Sequence, residues 1–284
     1  METRQQTLKL TSADGTALNA RAWQPAAEAP ARGQVLLVHG LAEHLDRYDH
    51  VARALTEAGW RVLGVELRGH GDSAGKRGHV AAWRAYVQDV EAALARAAAP
   101  CWLLGHSMGG LVALDLALSR VEAGGGDPPL LGLVLSNPLL GVAVVAPRWK
   151  TALAGLLSKL LPRLSLSNEV DPELISRDPR VVRAYRDDPR VFSTITPRWF
   201  SEMLAAIERV NGAAGRYDLP LLMLTSDHDG LCNTAAARAF LSRYGGQAQE
   251  RRYPELYHEL FNEPEKEQVL AEMLAWLEAS AGKG

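Results

Sequence analysis

Three short stretches of the 284-residue chain carry residues that can do chemistry together. Gly105-His106-Ser107-Met108-Gly109-Gly110 sets a serine hydroxyl between glycines, directly after the apolar run Cys101-Trp102-Leu103-Leu104 and before the helix-like Leu111-Val112-Ala113-Leu114. A serine at a sharp strand-to-helix turn needs neighbours without Cβ atoms, because the tight backbone leaves no room for them. The free N–H groups of the helix's first turn, and the positive end of its dipole, then face any oxyanion formed beside it. A hydroxyl is a poor nucleophile near neutral pH, so a base must take its proton and an acid must orient that base. In such an arrangement the acid follows along the chain and the histidine comes last, both on loops after late strands. Ser226-Asp227-His228-Asp229-Gly230 offers two acids, Asp227 and Asp229, and Glu255-Leu256-Tyr257-His258-Glu259 offers His258 as the base. The expected chemistry is acyl transfer to Ser107.

An oxyanion needs a second donor. The apolar run Val35 to Val38 ends in His39-Gly40-Leu41-Ala42-Glu43-His44, an early strand-to-helix loop, and the backbone N–H groups of Leu41 and Met108 are the expected pair. Arg68-Gly69-His70-Gly71 follows another strand and reads first as a structural loop that shapes the cleft, second as a direct contact. Other histidines have plainer readings: His50 and His79 as exposed helix ends, His228 as a solvated group between two acids. There is no His-Glu-x-x-His, since His258-Glu259 runs on into Leu260-Phe261-Asn262, and Cys101 and Cys232 are far apart. No metal site is expected.

Positioning these loops requires a sheet. Residues 5 to 23 alternate around Asp14-Gly15, the pattern of an opening hairpin. Strand-like runs at Val35–Val38, Arg61–Val65, Cys101–Leu104, Leu130–Leu135, Leu221–Thr225 and near Arg251–Tyr253 are separated by helix-period segments, of which Trp83, Val87, Val90, Leu94 and Ala97 mark one face. This is an α/β fold with a mostly parallel sheet and helices on both faces. Strand runs stop between Pro138 and Gly215. There Asp171-Pro172, Asp178-Pro179, Asp188-Pro189 and Thr196-Pro197 each offer an N-cap oxygen before a proline at the first helical position. The organisation expected is a catalytic body of residues 1–137 and 216–284, with an inserted helical cap at 138–215.

The formal charge of −2, from 31 basic and 33 acidic residues, offers no broad surface for nucleic acid. Two cysteines make no disulfide framework, although one long-range bridge stays open. Charges at Glu2, Arg4 and Lys9 interrupt any signal-peptide core, and Ser136-Asn137-Pro138 breaks the longest uncharged stretch. A cytoplasmic protein without a membrane span is expected. In the cap, Trp149, Leu153, Leu156, Leu157, Leu160 and Leu161 share one helical face, with Arg148 and Lys159 along one edge and Lys150 near the other. That face suits a membrane surface, an acyl tunnel or a core, and the cap's eleven basic against eight acidic residues favour peripheral membrane contact. A second helix with Trp199, Phe200, Met203, Leu204, Ile207 and Val210 adds apolar surface.

Together the chemical blocks resemble the monoacylglycerol lipase and lysophospholipase-like branch of the α/β-hydrolase superfamily. The resemblance rests on His39-Gly40-Leu41-Ala42-Glu43-His44, Arg68-Gly69-His70-Gly71-Asp72-Ser73, Gly75-Lys76-Arg77-Gly78-His79, the Gly105 to Gly110 block, Asp229-Gly230-Leu231-Cys232 and Tyr257-His258-Glu259. It implies a serine esterase that hydrolyses monoacylglycerols to glycerol and fatty acid through an acyl-enzyme, with no metal, nucleotide or prosthetic group. It also implies Asp229 rather than Asp227 as the third catalytic group, with Ser226 standing where the family pattern has glycine. In related lipases the residues matching Glu43 and Arg47 lie near the glycerol end of the substrate, and His106 approaches that end; a structural ion pair is the plainer alternative. Cys232 matches a cysteine near the site and reads as a small packed residue. Lysophospholipase and broad carboxylesterase are the neighbouring readings, and a non-catalytic ligand-binding protein is the alternative of a different class.

Overall fold

The computed structural model describes residues 4–26, 31–97, 100–143 and 148–282. The chain opens with β1 (Arg4–Thr11) and β2 (Ala17–Gln24), an antiparallel hairpin whose turn is made by Gly15 at φ 85° and by Asp14, whose Oδ1 accepts the Thr16 N–H at 3.1 Å. Then β3 (Gln34–Val38), α1 (Asp49–Glu57), β4 (Arg61–Val65), α2 (Arg84–Leu94), β5 (Cys101–His106), α3 (Met108–Glu122) and β6 (Leu130–Ser136) alternate. An excursion follows through α4 (Arg148–Leu160), β7 (Leu166–Ser167), α5 (Pro179–Asp187), β8 (Thr194–Ile195) and α6 (Pro197–Gly212). The alternation resumes with β9 (Leu221–Ser226), α7 (Thr234–Leu241), β10 (Ala248–Tyr253) and α8 (Lys266–Ala281).

The large sheet runs β1-β2-β4-β3-β5-β6-β9-β10, parallel from β4 onward. Strands β3 and β5 are buried along their whole length, which is why Val35–Val38 and Cys101–Leu104 within them are unbroken apolar runs. Alternate side chains serve opposite layers. Leu36 and Val38 join Val87, Leu103 and Leu111 on the side of α2 and α3, whereas Val35 and Leu37 join Val51, Leu55, Trp102, Leu270 and Met273 on the side of α1 and α8. From β3 the chain passes to β4 on one flank, and from β5 to β6 on the other. Order therefore reverses between β3 and β5, and the loops leaving their carboxyl ends diverge to open a crevice.

The segment between β6 and β9 adds no strand to this sheet, but it is not without strands: β7 and β8 lie in it and pair only with each other. Asp171, Asp178 and Thr196 accept the backbone N–H groups expected of N-caps. Asp188-Pro189 differs. Asp188 accepts the Arg190 N–H (2.8 Å) as the other caps do, but no helix follows its proline, and its second oxygen meets His44 Nε2 (2.8 Å) across the crevice. Helix α6 packs against both α4 and α3, and Trp199, Met203 and Val210 join the core beside α2, so the insertion shares the body's core. The side chains of Arg148, Trp149 and Lys150 lie outside the described residues.

The block Gly75 to His79 is what grips the insertion from below. Lys76 Nζ donates to the Arg163 carbonyl, Arg77 to the Arg190 carbonyl, and the Gly78 carbonyl accepts the Thr196 N–H at 2.9 Å. A Cβ on Gly78 would fall 2.0 Å from the Thr194 oxygen, so only glycine fits. His79 is accordingly not an exposed helix end: it is half-buried, with Nδ1 2.9 Å from Thr196 Oγ1. His50 likewise meets the Phe261 carbonyl at 2.6 Å.

Candidate active site

Ser107 follows β5 and caps α3 with φ 51° and ψ −118°, a conformation that side-chain-bearing residues avoid. What holds it there is close packing without side chains. A Cβ on Gly105 would meet the Gly109 oxygen at 2.7 Å, and one on Gly109 would meet the Val38 and His39 oxygens at 2.2 and 2.4 Å. The Ser107 N–H donates to the Ser136 carbonyl at 3.0 Å, and its own carbonyl accepts from Gly110, Leu111 and Leu139. Met108 opens α3, so its N–H belongs to the first turn, where donors have no intrahelical acceptor. Gly40 comes so near that a Cβ there would lie 3.3 Å from Ser107 Cβ, and Leu41 beside it lines the same cavity as Ser107.

On the far side of the crevice, His258 Nδ1 faces Asp229 Oδ2 at 2.8 Å. The other Asp229 oxygen accepts the N–H groups of Leu231 (2.8 Å) and Cys232 (2.9 Å). Burial opposes ionisation of Asp229, but the His258 ring and those N–H groups outweigh it and hold the carboxyl below its ordinary range. Burial also opposes protonation of His258, and Asp229 more than compensates, raising the imidazole above its usual value. Asp227 serves elsewhere, bound at the surface by Arg238 and by Arg252 (2.8 Å). Ser226 turns its hydroxyl to the Leu256 carbonyl and accepts the His228 N–H at 3.0 Å, tying the end of β9 to the loop that carries His258.

Ser107 and His258 line one cavity of about 280 Å³, together with Leu41, Glu43, His106, Glu259 and an apolar wall of Leu139, Val142, Ile195, Trp199, Phe200 and Met203. The hydrogen-bond partner of the Ser107 hydroxyl is the Cys232 thiol at 3.8 Å. Burial pushes that thiol far up, so it stays protonated, and Cys232 is not bridged to Cys101. Asp229, Cys232 and His258 are, among the described residues, the group whose ligand atoms all lie within 4.8 Å of one another. Two of those atoms are already committed to each other and the thiol carries its proton, a donor set arranged for hydrogen bonding rather than for a cation.

The residues expected at the glycerol end divide. His106 and Glu43 line the cavity; Arg47 stands behind them. Burial pushes His106 down to about 4, helped by the neighbouring His258 ring 4.7 Å away, and its Nδ1 meets the Ser136 carbonyl at 3.1 Å. The neutral ring thus donates from Nδ1 and keeps Nε2 as an acceptor. Burial disfavours charge on Glu43, yet His106, Arg47 and Tyr48 bring it to about 2. Its Oε1 accepts the Gly40 N–H and the Tyr48 hydroxyl (2.7 Å), and its Oε2 accepts Arg47 Nε at 3.2 Å. Arg68 stays out of the cavity, pairing with Asp89 at 2.7 Å and Asp14 at 2.6 Å, which makes its loop structural.

Three residues here carry roles that no local pattern in the sequence announces. Asn137, at φ 39°, donates to the His258 carbonyl at 2.8 Å and accepts the Ser226 N–H at 2.9 Å, joining β6, β9 and the histidine loop; in the sequence it registers only as a break in an apolar stretch. Glu66 is fully buried and accepts from Asn19, Leu45 and Asp72, with Gly71 pressed against it. Glu259 is buried beside His258; the sequence marks it only within the Tyr257-His258-Glu259 block and by a metal motif it fails to complete, neither of which assigns it a role.

The family model described as Hydrolase_4, serine aminopeptidase S33, matches residues 29–265. The chain belongs to this family. Among relatives of this Hydrolase_4 chain, the monoacylglycerol lipase of Mycolicibacterium smegmatis is 35% identical over 264 residues, covering 90% of each protein. An uncharacterized abhydrolase domain-containing protein of Dictyostelium discoideum is 32% identical over 94% of this chain, which spans 28% of that longer protein. The crystal structure of Paleococcus ferrophilus monoacylglycerol lipase superposes with TM-score 0.82 at 29% identity, covering 99% of this chain and all of that one. The fold is that of the α/β-hydrolases, as the resemblance implied.

Proposed function

We propose that the protein is a serine esterase that hydrolyses monoacylglycerols. The observation that carries this reading is the meeting of Ser107 with the His258–Asp229 pair at one cavity whose remaining wall is apolar. The Ser107 hydroxyl turns from Cys232 to the imidazole, gives up its proton to Nε2, and attacks the ester carbonyl. The N–H groups of Leu41 and Met108 take the developing oxyanion, each contributing about 3 kcal/mol in a dry, preset site. The histidine returns the proton to the departing glycerol oxygen, and water, activated by the same ring, releases the fatty acid. Asp229 fixes the tautomer throughout.

The acyl chain runs along Leu139, Val142, Trp199, Phe200 and Met203, and the alcohol end meets His106, with the carboxylates of Glu43 and Glu259 on the same wall. Those carboxylates already share the guanidinium of Arg47, so among the described residues that end offers no free cation to a phosphate. That favours a neutral glycerol over a lysophospholipid headgroup. The relatives named as monoacylglycerol lipases agree with it. A turnover panel tests this: monoacylglycerols are expected to exceed lysophosphatidylcholine, diacylglycerol and triacylglycerol by at least about tenfold in kcat/KM. Equal or greater turnover of lysophosphatidylcholine overturns the assignment, and absence of turnover with any ester favours the ligand-binding alternative.

The reading is of a cytoplasmic enzyme that touches lipid peripherally, with the insertion as its cap. No helix among the described residues is long and apolar enough to cross a membrane. Leu153, Leu156, Leu160, Leu161, Leu164 and Leu166 nonetheless stand 41–66% exposed on and just after α4, with Lys159 and Arg163 exposed among them. Such a surface suits an anionic bilayer. The protein is expected to float with vesicles of anionic phospholipid at low salt, and Leu156→Ser with Leu160→Ser to release it. No flotation at low salt removes the idea.

A further inference from the structure

One cluster beside the cavity ties together loops that the reaction needs in register. Arg47 lies in the turn before α1 and receives two carboxylates from different parts of the chain: Glu43 on Nε at 3.2 Å, and Glu259 on its second terminal nitrogen. Glu43 is the acceptor of the Gly40 N–H, so it sets the loop that ends at the Leu41 donor. Glu259 follows His258 directly, accepts Asn262 Nδ2 at 2.9 Å, and is anchored to the insertion through its N–H on the Ile175 carbonyl (2.8 Å). The guanidinium carbon of Arg47 lies over the Tyr185 ring, 4.9 Å from its centroid. The side chains of Glu43, Arg47 and Glu259 are only 3%, 10% and 6% exposed. At that depth each charge depends on its partners, and removing one leaves the others stranded. Both Glu43 oxygens and the bridging Glu259 oxygen are engaged with protein donors, which are not the groups one would set aside for a substrate hydroxyl.

We propose that Arg47 is a positioning residue for acyl transfer: by joining Glu43 to Glu259 it holds the oxyanion loop and the His258 loop at a fixed separation, and it does not recognise the alcohol. The inference rests on the esterase reading above. A guanidinium suits this role because its planar fork serves two carboxylates at once, which an ammonium on a flexible stem does not.

The test compares two esters that share no alcohol, a monoacylglycerol and p-nitrophenyl butyrate, with Arg47→Gln, Arg47→Lys, Glu259→Gln and the double variant Arg47→Gln/Glu259→Gln. Arg47→Gln and Glu259→Gln are each expected to lower kcat on both esters by about 10²-fold, the cost of a displacement on the ångström scale, while KM moves less than about twofold. Arg47→Lys, with the charge but not the fork, is expected to lose about tenfold. The double variant is expected within about threefold of Arg47→Gln alone, since both break the same link. Loss confined to the glycerol ester and expressed in KM means that Arg47 binds the alcohol, and overturns the proposal. Wild-type kcat in Glu259→Gln overturns it as well, reducing the cluster to an ordinary ion pair. Should Arg47→Gln fail to fold, Glu259→Gln and Arg47→Lys decide by the same criteria. A wild-type protein that turns over neither ester overturns the esterase reading itself, a result separate from any ratio among the variants.

Discussion

Ser107→Ala is expected to fold like the wild type and to turn over its best ester more slowly by at least about 10⁴-fold, with all labelling by a fluorophosphonate probe lost. The substitution removes one oxygen and leaves the backbone strain of φ 51° for a β-carbon to bear as before. Nothing nearby is ready to take over. The Cys232 thiol is 3.8 Å from the serine oxygen, but burial holds it protonated, and a thiol is a far weaker nucleophile than its thiolate. The residual rate reports what the oxyanion donors and the cavity achieve without covalent catalysis. Retained labelling in Ser107→Ala would move the nucleophile elsewhere, with Cys232 the first candidate, and Cys232→Ser in that background would identify it.

The second large effect separates two acids two residues apart. Asp229→Asn is expected to lower kcat by about 10³ to 10⁴, because the amide no longer fixes the histidine tautomer or stabilises the imidazolium. Asp227→Asn is expected to stay within about threefold of wild type, its carboxylate being tied to Arg238 and Arg252 at the surface. The pH profile gives an independent reading. An imidazole can act as a base only when neutral, and Asp229 raises the pKa of His258 above the usual value. Activity in kcat/KM therefore falls as pH is lowered through that raised pKa. In Asp229→Asn the carboxylate that favours the imidazolium is gone, so the acid limb shifts to lower pH even as the plateau drops. A large loss in Asp227→Asn without one in Asp229→Asn would reverse the assignment.

The parallel core of this fold was readable because burial on both faces forces strands such as Val35–Val38 and Cys101–Leu104 to be apolar throughout. The sharp turn at Ser107 was readable for a related reason: its glycines are dictated by backbone contacts, so the local sequence alone carries the signal. Long-range polar partners leave no such local mark. Asn137 reaches the His258 carbonyl across 121 residues, and Glu259 reaches Arg47 across 212. Asp188-Pro189 fits an N-cap, and Asp188 does accept the Arg190 N–H, but no helix follows, and its other oxygen pairs with His44 across the crevice, a contact no local pattern announces. The Gly75 to His79 block, legible only as a family resemblance, gains its physical reason from the Thr194 oxygen that leaves no space for a Cβ at Gly78.

The left-handed twist of the backbone at Ser107 has a consequence for how such a protein tolerates change. At that one position a residue lacking any side chain would relax most comfortably, yet it would be inert. Reactivity and thermal robustness thus pull in opposite directions at a single α-carbon. A screen that rewards endurance alone would drift toward a sturdier molecule with nothing left to attack an ester.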